Sequence, residues 1–472
     1  MFIDTHAHLY MKEFQDDLDE VIRRAREAGV EAIVCPGTDL ETSLRSVEIA
    51  EKYDMVYACV GFHPHDAAKA DTSALDQIET LSQHAKVVAI GEIGLDYHYD
   101  FSPREAQREV FRAQIDIARR RDLPVVIHTR EAETDTLAIM EEKLEAGPEW
   151  RSRKVRKHDR YPPPKGVFHC FPGDAAMAWR VIHSGFYISL GGPVTYGGKK
   201  AKPNLTADVA SGVSAEHIML ETDSPYLAPV PYRGKRNEPS YVRLVADKIA
   251  ELQGLSVEDI ARASSFAAHK LFGIGTYPPP VIAYRLRDSL YLNITIRCDA
   301  DCVFCDRKGE AVIKGYNLRI EKEPTSGEVI EAIADPGKYK EIVFCGYGEP
   351  TIRMDVIKEV SAWVKANGGK VRLNTDGHGS VINHRNIVPE LVGLVDAVSI
   401  SLNDTEPEHY GALMRIDGKK YFPAMVAFAK ECVSHSLDVT MTIVDRNEVD
   451  EAKARRFVET EIGAKFKNRP YF

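Results

Sequence analysis

Phe2-Ile3-Asp4-Thr5-His6-Ala7-His8-Leu9 is the stretch that decides the fold. Its first half is a short β-rich run, and it leads straight into His-x-His, two imidazoles that an extended segment points to the same side. Runs of the same kind recur at 31–35, 56–61, 87–91, 124–128, 166–169, 186–190 and 217–221. Between them lie amphipathic stretches such as 14–28 and 104–121, with apolar residues at three-and-four spacing. Eight strands alternating with helices predict an α/β fold, an eight-stranded parallel β/α (TIM) barrel, and helices near 240–252 and 256–271 complete it.

On that frame the metal-ligating residue types converge. His6 and His8 follow the first strand, and His63 and His65 the third. Glu92 follows the fourth, His128 ends the fifth, His169 ends the sixth and Asp223 follows the eighth. All of these are C-terminal strand ends, where barrel enzymes build their sites. Imidazoles and carboxylates without soft sulfur suit zinc, manganese or magnesium, and the count suffices for two ions with Glu92 bridging. Such a pair performs metal-assisted hydrolysis, and Asp223 is placed to take the proton of the attacking water. His65 reads as a structural residue or as one that supports the ligands from behind.

The segments Asp4–Leu9, Gly61–His65, Gly91–Tyr97, Pro124–Arg130, His169–Phe171, Glu221–Pro229 and Tyr232–Pro239 together resemble the TatD family of metal-dependent deoxyribonucleases, across nearly all of residues 1–272. The resemblance implies a hydrolase barrel acting on phosphodiesters such as DNA. It implies one metal on His6, His8, Glu92 and Asp223, and a second on Glu92, His128 and His169. It further implies substrate phosphates held by His63, Arg233, Lys235 and Arg236, with Glu221 behind the ligands. Two departures stand out: Phe171-Pro172-Gly173 where the family has a small hydroxyl residue before the glycine, and a basic insert, Arg151–Lys165, between strands five and six. The insert reads either as a solvated loop or as a grip on phosphates.

Gly273-Ile-Gly-Thr-Tyr-Pro-Pro-Pro-Val281 is incompatible with helix and marks a boundary, giving a barrel over 1–272, a linker over 273–284 and a second domain over 285–472. Strand-like runs at 291–296, 342–345, 371–375, 397–402, 438–444 and 464–467 predict a partial, about six-stranded β/α barrel. Just after the first of them stand Cys298, Cys302 and Cys305. Three thiolates in one polar loop can hold three irons of a four-iron cluster and leave the fourth open to a chelating ligand. The triad, with Phe304 before its last cysteine, resembles the signature of the radical S-adenosylmethionine (radical SAM) family. Gly346-Tyr-Gly-Glu-Pro350 resembles that family's loop for the methionine amino group, with Gly346 and Gly348 letting the backbone approach and Glu349 accepting from the ammonium. Asn374-Thr375 and Ser401 to Asn403 resemble its later cofactor contacts. The resemblance implies a 4Fe-4S cluster, S-adenosyl-L-methionine, a reductant such as flavodoxin or ferredoxin, and a radical substrate that the residues do not name.

Composition bounds these readings. The chain has 472 residues, 44% of them hydrophobic and 28% charged, with a net charge of −10. That excludes a disordered chain, a collagen-like repeat and an overall basic nucleic-acid module. Eight cysteines, five of them scattered, read as a reduced protein, and with no basic-then-apolar leader and no apolar run of membrane length the expectation is a cytoplasmic chain without a membrane partner. The favoured reading is a bifunctional fusion. The alternatives are a hydrolase of another bond (amide, lactone or aminoacyl ester) and a pairing in which one domain is a non-catalytic scaffold.

Overall fold

The computed structural model describes residues 1–147, 150–151, 164–197, 204–444 and 449–469. The basic insert is therefore almost wholly outside the described residues. The chain divides into two compact units, Met1–Pro278 and Pro279–Phe472.

In the first unit eight strands, β1 (Phe2–Asp4), β2 (Val30–Pro36), β3 (Val56–Val60), β4 (Val87–Asp96), β5 (Val125–Arg130), β6 (Gly166–Phe168), β7 (Phe186–Leu190) and β8 (Ile218–Leu220), pair in sequence order, all parallel. The sheet returns on itself where Thr5 N donates to Leu220 O at 3.0 Å, Asp223 N to His6 O and His8 N to Ser224 O, both at 2.8 Å. Asp4 reinforces this seam: fully buried, it accepts from the backbone N of Thr222 at 2.9 Å and its hydroxyl at 2.6 Å. Burial pushes the Asp4 carboxyl up to about 8, partly offset by these hydrogen bonds.

Strand residues alternate between two apolar layers. Ile3, Val34, Cys59, Val126, Val167 and Met219 pack with Ala267, Ala268, Leu271 and Phe272 of the helix Val257–Phe272. Phe2, Ile33, Cys35, Ile90, Ile127 and Ile188 pack in the larger cluster that includes residues of the surrounding helices. The helix Val257–Phe272 opens on a reciprocal Ser256/Asp259 capping box and stops at Gly273, whose φ of +73° suits glycine.

In the second unit β9 (Ala283–Leu286), β10 (Ser289–Leu292), β13 (Ile342–Phe344), β14 (Val371–Thr375), β15 (Ala397–Ser401), β16 (Asp438–Val444) and β17 (Lys465–Arg469) form an open sheet in the order β17-β16-β15-β14-β13-β10-β9, and β11 (Val312–Ile313) with β12 (Tyr316–Asn317) forms a separate two-stranded ribbon. From β10 to β17 all pairs are parallel. These are the six strands expected. The seventh, β9, is a correction: it runs antiparallel to β10 and begins inside the stretch read as linker. Leu292, Phe344, Leu373, Ile400 and Met441 face the apolar core with Val360, Met425 and Phe428 from the helices.

Candidate functional sites

Glu92 is the hub of the first unit. It lies within β4, which runs on to Asp96 past the expected end at Gly91. The extension depends on Gly94, with φ +145°, because a Cβ there would stand 1.9 Å from the His128 carbonyl oxygen of β5. The two carboxylate oxygens of Glu92 face two groups of imidazoles. Oε2 is 3.3 Å from His6 Nε2 and 3.7 Å from His8 Nε2. Oε1 is 3.0 Å from His128 Nδ1, 3.2 Å from His169 Nε2 and 3.5 Å from His63 Nε2. Asp223 completes the first group, its Oδ1 3.4 Å from His8 Nε2 and 3.9 Å from His6 Nε2.

Further carboxylates aim these rings. Asp96 Oδ2 is 3.2 Å from His128 Nε2 and 3.0 Å from His65 Nε2. Glu221 Oε2 is 3.4 Å from His169 Nδ1, and Glu221 itself accepts from Cys170 N at 2.6 Å and Ser189 Oγ at 2.5 Å. Tyr10 Oη lies 3.0 Å from His8 Nδ1. Asp96 is not among the residues expected at the site. Its signal was the even spacing from Glu92, which puts both carboxylates on one face of one strand.

The site's electrostatics are those of a cation cradle. Burial acts to raise the Glu92 carboxyl, yet the charges of His169, His63 and His6 and the hydrogen bond from His128 hold it well below the usual range. Burial likewise opposes the charged form of Asp223, and His8, His169 and His6 outweigh it. His6 and His63 are pushed down, chiefly by burial. His128 and His169 are pushed up: burial disfavours their charge, but Asp96 and Glu92 act on the first, and Glu92 and Glu221 on the second. His6 Nε2 and His8 Nε2 approach to 3.3 Å, and the rings of His6 and His169 stack at 3.8 Å between centroids. Buried imidazoles this crowded around one carboxylate fit shared cations.

The expected phosphate residues divide. His63 is in the cluster. Arg233 and Lys235 are exposed, stacked over Tyr196 at 4.3 Å and Tyr232 at 5.8 Å. The structure does not leave Arg236 open: its guanidinium is paired with Asp17 at 2.7 and 2.8 Å and also donates to Glu13 O at 2.6 Å.

The second unit gathers its special residues on loops at the C-terminal ends of its strands. Cys298, Cys302 and Cys305 are free and half-buried in the segment after β10. Arg307 ties this loop by donating to Ala300 O at 2.8 Å, and Asp301 N and Val303 N bond to Met414 O and Leu413 O. Cys302 Sγ is 3.3 Å from Met414 Sδ, and Cys298 Sγ is 3.9 Å from carboxylate oxygens of Asp299 and Asp376. Burial pushes all three thiols up, so holding them as thiolates takes a cation. Phe304 packs against the apolar core.

After β13, Gly346 and Gly348 are held tight: a Cβ would stand 2.5 Å from Asn293 Oδ1 at the first and 2.3 Å from Thr295 O at the second. Glu349 follows them on the same loop. Its buried carboxylate accepts from Thr351 N at 3.0 Å, Thr351 Oγ1 at 2.6 Å, Thr375 Oγ1 at 2.8 Å and Asp376 N at 2.8 Å, so it ties two loops together. Asn374 is on β14, Ser401 ends β15, and Asn403 follows it with Nδ2 3.1 Å from Met414 Sδ.

Known proteins fit this division. Residues 3–273 match the family described as TatD related DNase, and residues 292–458 match the Radical SAM superfamily. The chain is 44% identical over 274 residues to the uncharacterized metal-dependent hydrolase YabD of Bacillus subtilis, covering 58% of this chain and 100% of that one. It is 32% identical over 275 residues to the 3′-5′ ssDNA/RNA exonuclease TatD of Citrobacter rodentium, covering 57% of this chain and 97% of that one. Among solved structures the TatD homologue YjjV of Escherichia coli superposes with a TM-score of 0.52 at 30% identity, covering 58% of this chain and 98% of that one.

Proposed function

The chain belongs to the TatD-related DNase family and carries a radical SAM domain after it, and from this premise we propose that the first unit hydrolyses phosphodiesters of single-stranded nucleic acid at a two-metal site. The observation that carries the reading is Glu92, whose two oxygens face two separate sets of histidines. His6, His8, Glu92 and Asp223 hold one ion, and Glu92, His128 and His169 the other, drawn from magnesium, manganese or zinc. Bound there, such ions make water acidic at neutral pH and stabilise charge developing on phosphate oxygens. The chain's own groups do the rest. Asp223, kept ionised by its imidazole neighbours, takes the proton of the attacking water. Asp96 and Glu221 fix the rings of His128 and His169. His63, Arg233 and Lys235 hold the phosphate oxygens.

In the second unit Cys298, Cys302 and Cys305 would hold a 4Fe-4S cluster that works with S-adenosylmethionine. When bound, that group would supply one-electron reductive chemistry on S-adenosylmethionine, fed by a reductant such as flavodoxin or ferredoxin. The loop at Gly346 and Gly348 gives the cofactor its backbone approach, and Ser401 and Asn403 contact its ribose. The test is one preparation of full-length chain assayed twice. With divalent metal it should cleave single-stranded DNA and stop on adding chelator. Reconstituted with iron and sulfide without air, it should release 5′-deoxyadenosine from S-adenosylmethionine and dithionite. Cleavage that survives chelator overturns the first half, and a colourless reconstituted chain the second.

A further inference from the structure

The open sheet of the second unit has two unlike faces. Strand pairing aligns Tyr291, Val343, Arg372, Ala397 and Asp438 across β10 to β16, then Thr440 with Lys465 on β17. Side chains alternate along each strand, so Asn374, Ser399, Ser401, Thr442, Lys467 and Arg469 share that face. Apart from Val343, which is fully buried, these residues lie outside the apolar core, which is built from the alternate positions. The face is polar, and it is cationic at the β17 side.

Most of its charges are paired. Arg372 meets Glu341 at 2.7 Å, and Lys465 meets Asp438 at 2.8 Å. Lys467 and Arg469 have no carboxylate partner among the described residues, and the Arg469 Nε is shut from solvent without a hydrogen-bond acceptor. Alternation along β17 puts Arg469 on the face of Lys467 and Thr442, and burial pulls its pKa down against the opposing influence of Cys345, Cys302 and Tyr291. Arg469 is part-buried, and a guanidinium nitrogen shut from solvent without an acceptor is costly unless a ligand supplies one. Charges on edge strands also discourage unwanted pairing, a purpose the exposed Lys467 meets, but that purpose asks for no guanidinium nitrogen shut from solvent as in Arg469.

We propose that Lys467 and Arg469 form an anion-binding position for the substrate of the radical reaction, which therefore carries a phosphate or a carboxylate. This rests on the radical reading above. S-adenosylmethionine is expected at the loops after β13 and β15, which leaves the cations of β17 to the substrate.

The experiment titrates full-length chain, its divalent metals removed by chelator, with inorganic phosphate, and titrates the reconstituted chain with S-adenosylmethionine. Arg469→Gln and Lys467→Gln should each weaken phosphate about tenfold, the size of one lost charge-assisted hydrogen bond, while Arg469→Lys keeps part of the affinity. Matching far-ultraviolet circular dichroism shows that the variants are folded. Phosphate curves that superimpose on the parent's, or a parent that binds no phosphate, overturn the proposal. So does a loss confined to S-adenosylmethionine, which hands the cations to the cofactor's carboxylate. A parent that binds phosphate through these residues but no S-adenosylmethionine sinks the radical reading and leaves the anion position standing.

Discussion

The two units assemble their chemistry in opposite ways. The closed barrel draws His6, His8, His63, Glu92, His128, His169 and Asp223 from on or just beyond six different strands, and one buried carboxylate touches five of the imidazoles. The open sheet concentrates its three thiols in eight residues of one loop, pinned by Arg307 and by backbone bonds to residues 413 and 414. A site spread over a closed sheet is positioned by the sheet itself, and loses most when its shared member goes. A site on one loop is positioned by that loop's own ties, and each thiol counts equally.

Cys302→Ala should abolish cluster colour and deoxyadenosine formation, since two thiolates hold a four-iron cube poorly, while metal-dependent hydrolysis continues. Glu92→Ala should cut hydrolysis by about three orders of magnitude or more, both ions losing a ligand, with cluster colour intact. Either substitution silencing both activities would show that the sites are not separate.

A smaller effect sharpens the account of the rings. Asp96→Asn should lower metal affinity about 10- to 100-fold, measured by competition with a chromophoric chelator, because His128 loses the charge that orients it. An unchanged affinity would make Asp96 merely structural.

The pH dependence follows from the raised imidazoles. His128 and His169, both held above their ordinary value, stabilise the metal-free barrel when protonated; this is complete below pH about 6.5 and fades as pH rises through their folded pKa values. Divalent ions compete for the same nitrogens, and Glu92 and Asp223, both held low, stay ionised across this range. The Tm gap between metal-loaded and chelator-treated protein should therefore widen from pH 6 to pH 9. A gap that narrows contradicts the assigned charges.

Least of all should Arg236→Ala matter, about 1 kcal/mol or less of stability from its part-exposed pair with Asp17, read by urea unfolding. The Arg233→Ala, Lys235→Ala double variant should instead weaken DNA binding and flatten its salt dependence. Equal effects on DNA would return Arg236 to the phosphate set.

Much of this was legible in the chain. The strands Phe186–Leu190, Val371–Thr375 and Asp438–Val444 and the helix Arg104–Arg121 fall where periodicity draws them, because each is a strong local pattern. The extent of β4 was not, since it depends on Gly94 meeting β5. Strand β9 hid in a proline-rich stretch that reads as linker. In the site, residue types at strand ends announced the donors, but the commitment of Arg236 to Asp17 comes from a partner 219 residues away, and that of Glu349 from hydroxyls 2 and 26 residues off. Long-range pairing leaves no local mark in a sequence.

We propose that one chain holds two separate inorganic sites, a divalent pair on Glu92 and an iron–sulfur cluster on three cysteines. Metal analysis of the reconstituted parent, Glu92→Ala and Cys302→Ala chains tests it most directly. The parent should hold about two divalent ions and about four irons per chain, with Glu92→Ala losing the divalent ions and keeping iron, and Cys302→Ala the reverse. Iron that leaves with Glu92, or zinc held tightly by the three cysteines in its place, would contradict the account.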